Sequence, residues 1–475
     1  MPTMSKLAGG AGGPPGWGCG WADLPRDLLE SVLGRLPVPD SLRFPAVCAA
    51  WQSAAGAAAG PQAALSPWLM LPFNPTARRG GGDAKFAEAR FLSLAEGRAY
   101  AIRQPAPAAS DRVCVGSSPD GWLVTADACS ELQLLNPVTG AQVQLPSVAT
   151  LPFVDASRGA DGRVVSYELR CCFTDDDGCG EVLIPPETLA PDRLPYEVYE
   201  KAILVAAPRR IAPSGSWGGY AVLLICQPLS RLAVARAGDT EWTLLDTPAR
   251  CWVDAVRASS EDGADGRQRR AFYTMDAAGR VEAWDMDATP PASRSRAIAP
   301  PCCCSSLACA MSAACRRYLV ELAPGHLLQV HRLRGAAHAR HTWEPRPERV
   351  EYTTTSVELF EWKAGAAAEA RDHLPRWAQV DGKSSSRVLG GRALFLGKNT
   401  SVCAPVDGGG CPGLRGNCVY FTDDGPWSHE RCHEVAPDVG VLDLADGSYR
   451  PPRGAARDLL WKWPPPVWVF PSLAG

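Results

Sequence analysis

From Ser66 onward the chain is written as short apolar runs of four to seven residues, each broken by Gly, Pro, Asn or Asp. That is the strand-and-turn pattern, and it limits the folds open to the chain more than any other feature. Trp122–Thr125, Leu132–Leu135, Ala202–Ala206, Ala221–Cys226, Leu232–Arg236, Phe272–Met275 and Val281–Asp285 are examples. Tyr318–Leu322, Leu327–Arg332, Val357–Trp362, Ala393–Leu396, Val419–Thr422 and Val439–Leu444 continue the series. Hairpin turns are legible at Asn136–Gly140, Asp276–Gly279 and Ala323–Gly325. Roughly two dozen strands follow with no alternating helices, which excludes a parallel α/β sheet. So many antiparallel strands must hide their edges. A closed ring of blades at ~40–45 residues each does so; a pair of β-sandwiches is the alternative. The stretches 258–270, 287–301 and 364–388 read as surface loops interrupting the array.

Residues 1–20 are Gly/Pro-rich and read as a disordered tail. Helical periodicity appears only in residues 21–55. Asp23 is placed to cap a helix and Pro25 to sit in its first turn. Leu28, Leu29, Val32, Leu33 and Leu36 recur at helical spacing, and Pro37 and Pro39 stop the run. A second helix is expected from Asp40 or Ser41, carrying Phe44, Val47, Cys48 and Trp51. Ala/Gly-rich residues, from 54–56 to 65, form a linker, and residues 66–475 form the large all-β domain. Net charge is −3, from 48 basic and 51 acidic side chains, which argues against nucleic-acid or membrane-surface binding. No apolar run approaches a membrane span. Eighteen Cys without an apolar leader read as reduced thiols, so a cytoplasmic or nuclear protein is expected.

Residues 21–53 closely resemble the plant F-box: Leu24-Pro25, Asp27-Leu28-Leu29, Arg35-Leu36, Asp40, Arg43-Phe44, Val47-Cys48 and Trp51 stand in the family's order. Pro45 departs from the family pattern and should bend or delay the second helix by one turn. Further motifs resemble the plant KIB-type β-propeller domain. They are Ser66–Pro72, Gly116–Leu123, Leu135–Gly140, Leu394–Gly397, Asn417–Asp424 and Trp468–Leu473. The resemblance implies a small all-α F-box module followed by a six- or seven-bladed β-propeller. It also implies a non-catalytic substrate receptor of an SCF-type ubiquitin ligase. The F-box would dock a Skp-type adaptor, and through it a cullin, and the propeller would hold a protein target. Leu24, Pro25, Leu28, Leu29, Val32, Leu33, Leu36, Val47, Cys48 and Trp51 are then divided between self-packing and the adaptor. The seven lysines, among them Lys201 and Lys398, are the only side-chain ubiquitin acceptors.

The sharpest competing motif is His429-Glu430-Arg431-Cys432-His433, which matches the HExxH of zinc metalloproteases. Pro426 and Pro437 leave little room for its helix. No Glu or His follows Glu434, so a third ligand would have to be Asp438, Asp443, Asp446 or Asp458, or come from upstream. A solvent loop between strands is the expected reading. The Cys groups at 171, 172 and 179, at 302–304, 309 and 315, and at 403, 411 and 418 lack paired spacing and read as structural. Asp175–Gly178 lacks the alternation of a calcium loop. No catalytic residue, metal or cofactor is expected. A propeller scaffold whose F-box does not dock is the remaining alternative.

Overall fold

The structure is a computed structural model. It describes residues 21, 24–36, 40–41, 44, 47–57, 67–71, 86–105, 109, 112–174, 181–211, 214–227, 230–247, 250–259, 270–286, 295–302, 315–338, 350–363, 376–406, 413–425, 437–455 and 465–472. The chain divides into two compact units, Met1–Ala63 and Ala64–Gly475.

In the first unit, α1 spans Arg26–Leu33 and α2 spans Ala49–Ala57. Pro25 occupies the N-cap, not the first turn, and its carbonyl accepts the amides of Leu28 and Leu29, both at 3.1 Å. Asp23 lies outside the described residues. α1 ends at Leu33, before the prolines. The amides of Arg35 and Leu36 turn back onto Val32 and Leu33. The second helix is not continuous from Asp40. Asp40 and Ser41 are helical, Phe44 lies in a tighter turn, and regular helix begins at Ala49. A proline lacks the amide a helix needs, which is the basis of the expected delay; Pro45 itself lies outside the described residues. α2 then runs on to Ala57, past the expected start of the linker, because its alanines are strong helix formers.

Among the described residues the second unit holds thirty strands. Blade one is β1 (Trp68–Met70), β2 (Phe86–Ser93), β3 (Arg98–Pro105) and β30 (Val467–Val469), in the order β3-β2-β1-β30. Blade two is β4 (Val113–Ser117), β5 (Leu123–Ala126), β6 (Leu132–Leu135) and β7 (Gln142–Gln144). A three-stranded sheet follows: β8 (Val154–Arg158), β9 (Val164–Thr174) and β10 (Glu181–Leu189). A short helix, α3 (Leu194–Val198), leads into blade three, β11 (Tyr199–Ala206), β14 (Ala221–Cys226), β15 (Arg231–Arg236) and β16 (Thr243–Leu244). Its β11–β14 connection carries a hairpin, β12 (Arg209–Ile211) and β13 (Ser216–Gly218). Blade four is β17 (Trp252–Arg257), β18 (Ala271–Asp276), β19 (Val281–Asp285) and β20 (Ser295–Ala299). Blade five is β21 (Cys315–Ala323), β22 (His326–His338), β23 (Val350–Lys363) and β24 (Ala378–Val380). Helix α4 (Gly382–Leu389) precedes blade six. That blade comprises β25 (Arg392–Leu396), β26 (Val402–Pro405), β27 (Cys418–Phe421), β28 (Gly440–Asp443) and β29 (Tyr449–Arg450), with β26 at one edge and β25 parallel to β27.

The inner edges pack in sequence: β30 on β4, β4 on β11, β11 on β17, β17 on β21, and β21 on β26. Trp468 completes the circle. Its indole N–H donates to the Leu396 carbonyl at 3.1 Å, and its ring meets Phe395 edge-on at 5.5 Å. Among the described residues the ring therefore has six blades. The β8–β10 sheet stands outside it, because β4 meets β11 directly: a Cβ on Gly116 would lie 2.1 Å from the Ala202 carbonyl oxygen. That sheet packs Phe153, Tyr167 and Leu169 onto the core shared by blades two and three.

The two ends of the strand region meet in one blade. Trp68 pairs with Val469, Leu69 with Trp468 and Met70 with Val467. The expected turns are present. Asn136 Oδ1 accepts the amides of Val138 and Thr139, and Gly140 takes φ 73°. Two supposed surface loops contain regular structure. The stretch 287–301 includes β20, and 364–388 includes β24 and most of α4. β20 and β24 are short outer strands with exposed positions, so they show no apolar alternation. α4 is set by Asp381, whose carboxylate accepts the Ser384 amide at 2.6 Å, and by Gly390 in the left-handed region.

Candidate functional site

The helical unit has a very small core. Leu29, Leu33, Phe44 and Ala54 are buried, with Leu24, Leu36, Trp51 and Ala55 packed around them. Phe44 and Trp51 lie 4.4 Å apart between ring centroids, and the Trp51 indole donates to the Trp21 carbonyl at 2.9 Å. This divides the sequence-predicted residues. Leu29 and Leu33 belong to the core; Leu24, Leu36 and Trp51 lie at its margin, and Cys48 is half-buried. Leu28 at 49%, Val32 at 37% and Val47 at 56% remain exposed, as does Pro25. Leu28 and Val32 are one helical turn apart, so they present one apolar strip.

In the propeller, charge concentrates where the inner strands begin. A recess of about 30 Å³ is lined by Glu200, Lys201, Val253, Cys315, Arg316, Arg317, Tyr318, Lys398 and Asp424. These residues stand near the starts of β11, β17 and β21, or follow β25 and β27. Lys201 and Asp254 form a buried ion pair at 2.7 Å. Asp254 also accepts the Leu319 amide at 2.8 Å and the Ser401 hydroxyl at 3.2 Å. One carboxylate thus ties blades three, four, five and six together. Burial pushes its carboxyl up, against the pull of Lys201.

Asp424 lies between Arg332 at 3.3 Å and Arg316 at 4.0 Å. Burial opposes its charge, but Arg332, Arg316, Lys201 and Lys398 outweigh that and hold its carboxyl at about 2. Arg332 is fully buried against the Phe421 and Tyr318 rings and donates to the Thr422 carbonyl at 2.9 Å. Beside it, Asp423 accepts the Asp438 amide at 2.8 Å and faces Arg334 at 3.4 Å. Lys398 donates to the Glu200 carbonyl, and burial depresses its ammonium. Lys201 and Lys398 are therefore both engaged in the recess. Within the recess Lys201, Arg316, Arg332 and Lys398 are set against Asp254, Asp424 and Glu200. Sequence reasoning missed this cluster. The available signal was a charged residue inside an apolar strand, as in Glu200-Lys201-Ala202-Ile203 and Trp252-Val253-Asp254-Ala255.

The His429–His433 motif, Asp175–Gly178, Cys179, Cys303, Cys304, Cys309 and Cys411 lie outside the described residues. Three of the acids considered as a third zinc ligand have other partners. Asp438 accepts the amide and hydroxyl of Thr354 at 3.0 and 2.6 Å. Asp443 and Asp446 accept the amides of Ala445 and Ser448 within one turn. Among the described residues, no three His, Cys, Asp or Glu side chains are grouped to hold a metal ion. Burial pushes the Cys403 and Cys418 thiols up to about 11 and Cys114 to about 12, so they stay protonated at neutral pH. No described helix is long and apolar enough to cross a membrane.

Two family models match: the KIB1-4 beta-propeller over residues 91–443 and the F-box domain over residues 21–56. A curated Arabidopsis thaliana F-box protein is 29% identical over 129 residues, which is 27% of this chain and 31% of that protein. The alignment thus spans about a third of the relative's length. Among solved structures, the β-propeller domain of Myceliophteria thermophila Cps50 (Swd1) is 12% identical with a TM-score of 0.27, over 72% of this chain and 85% of that one. Citrobacter koseri AztD is 10% identical with a TM-score of 0.24, over 61% and 65%. At these scores neither carries an argument.

Proposed function

Because this chain belongs to the KIB1-4 β-propeller family and carries an F-box domain, we propose that it is the substrate-recognition subunit of an SCF-type ubiquitin ligase. The F-box module docks a Skp-type adaptor and, through it, a cullin. The propeller holds a protein target, and ubiquitin transfer is left to other subunits. The observation that carries this reading is the exposed strip of Leu28 and Val32, with Val47 also exposed, on a module that buries only four apolar side chains among its described residues. So small a unit leaves apolar surface uncovered, and a partner helix surface would cover it. The target is proposed to meet the end of the propeller where the charged recess opens. Such a subunit works in the cytoplasm or nucleus, where cullin complexes assemble.

The test is co-expression with a Skp-type adaptor followed by size-exclusion chromatography. Stoichiometric co-elution is expected for the wild type, and its loss for the Leu28→Ala, Val32→Ala variant. Wild-type chain eluting alone, with both domains folded, would favour a propeller scaffold without docking.

A further inference from the structure

Blade one ends on the longest outermost strand of the ring. β3 runs eight residues, whereas the outermost strands of the other five blades, β7, β16, β20, β24 and β29, run two to five. Among the described residues, no strand pairs with the outer edge of β3. Sheet edges are commonly guarded by bulges, prolines or lysines. β10, at the edge of the outer three-stranded sheet, has such a guard: Pro185 and Pro186 sit at a register shift between Ile184 and Glu187. β3 has none. Its pairing with β2 is unbroken from Phe86 with Pro105 to Ser93 with Arg98, and residues 98–104 contain no proline or lysine.

The ladder fixes which residues of β3 turn their backbone outward. The Leu71 amide donates to the Arg90 carbonyl at 2.9 Å, so Arg90 turns its backbone polar groups toward β1. Its partner on β3, Ala101, therefore stands in a non-hydrogen-bonded pair and turns its own N–H and C=O to the open edge. Ala99 and Arg103, two residues to either side, do the same. All three are exposed, and two of the three side chains are single methyl groups. The alternate residues hold the strand in place. Tyr100 stacks on Trp68 with ring centroids 5.9 Å apart. Gln104 donates to the Pro137 carbonyl at 2.7 Å and accepts the Ala109 amide at 2.8 Å. The sequence of this edge, Arg98-Ala99-Tyr100-Ala101-Ile102-Arg103-Gln104, is self-complementary about its centre. Laid antiparallel on a second copy, Ala101 faces Ala101, Ala99 faces Arg103, Tyr100 faces Ile102 and Arg98 faces Gln104. Outward residues then meet outward residues, as hydrogen-bonded pairs require, and about six backbone bonds form. Tyr100 meets a β-branched side chain, and no like charges are opposed. Centring on Ile102 would set Pro105, which has no amide to give, opposite Ala99, and centring on Tyr100 would shorten the ladder.

We propose that β3 is a dimer interface: two copies of this chain join edge to edge, antiparallel and two-fold about Ala101, so that two four-stranded blades become one continuous sheet. A contact this narrow stands at the weak end of protein interfaces, so the dimer forms reversibly with chain concentration. The interface belongs to the propeller alone and stands whether or not the F-box docks an adaptor. Where the propeller holds a target, two joined propellers hold a repeated or dimeric target more tightly than one does.

Sedimentation velocity on the full chain, from about 1 to about 200 μM, reads the association. A monomer–dimer equilibrium is expected for the wild type. Ala101→Pro removes the outward amide without touching the β2 ladder, and should weaken the dimer at least ~10-fold with an unchanged circular dichroism spectrum. Ala101→Glu and Ala101→Lys each set like charges face to face on the two-fold axis, and each alone should weaken it ~5-fold. Mixed in equal amounts, they should form a heterodimer ~5-fold tighter than either alone, because residue 101 then meets its opposite charge. Leu28→Ala with Val32→Ala, the variant that tests adaptor docking, should dimerise as the wild type does. A wild-type chain that stays monomeric over the whole range overturns the proposal, as it would if another part of the chain covered the edge. So does a dimer unchanged by Ala101→Pro in a folded chain, or one lost in the Leu28→Ala, Val32→Ala variant. A mixture of the two charge variants that is no tighter than its components overturns the two-fold at Ala101.

Discussion

Two buried side chains set the energetics at the scale of single residues. Lys201 and Asp254 are both almost wholly out of water, so their attraction must offset two desolvation costs. Removing one partner leaves an uncompensated charge. Lys201→Met should therefore cost about 3–5 kcal/mol in urea unfolding, and Lys201→Met with Asp254→Leu should recover most of it. A single-variant loss below about 1 kcal/mol would mean the pair does not bind the blades together. His331 is buried against Phe360, with ring centroids 4.6 Å apart and Nε2 3.2 Å from Gln329 Oε1. Burial, helped by the Arg317 charge, depresses it to about 3. The unfolded chain, with an ordinary histidine near 6.5, takes up the proton first. Stability from a neutral His331 is thus fully present above pH ~6.5 and is lost toward pH ~3, by about 1.4 kcal/mol per unit. His331→Gln should flatten the stability profile between pH 6 and 4, read by denaturant midpoints; an unaltered slope would show that His331 is not the titrating group.

At the scale of elements, α1 makes two faces from one run of leucines and valines. Positions 29 and 33 point into the small core, and positions 28 and 32 point out. Leu29→Ala should destabilise the module by about 2–5 kcal/mol, seen as loss of its melting transition. Leu28→Ala with Val32→Ala should leave that transition in place while weakening adaptor binding about a thousandfold, two buried side chains' worth at an interface. If both changes only unfold the module, the outward strip is not a docking surface.

For the whole molecule, the decisive device is the stitching of blade one by both chain ends. An unstitched ring leaves two open edges. β30 brings Val467, Trp468 and Val469, all buried, and Trp468 also bonds the neighbouring blade. At roughly 2 kcal/mol or more per buried side chain, their loss rivals the total stability of a domain. Deleting residues 466–475 should lower the propeller's melting temperature by more than ~10 °C or prevent folding altogether. A truncated chain that melts like the full one would show that the ring does not rely on its last strand.

Local chemistry determined much of this protein without help from tertiary contacts. The turns at Asn136, Asp276 and Gly325 were legible, because those residues satisfy their own backbone or tolerate positive φ. The strand cores were equally legible. So was the pairing of the two ends of the strand region, since Trp68–Met70 and Val467–Val469 are short apolar segments flanked by prolines; β1 takes β30 on one edge and β2 on the other. The ring decided the rest. Six blades, with β8–β10 outside, follow from β4 meeting β11 at Gly116, a contact between segments far apart in sequence. Lys201, Asp254, Arg316, Arg332 and Asp424 looked like scattered charges until the starts of the inner strands were brought together. Partners for a buried charge come from other blades, and no local pattern records which blades will be neighbours.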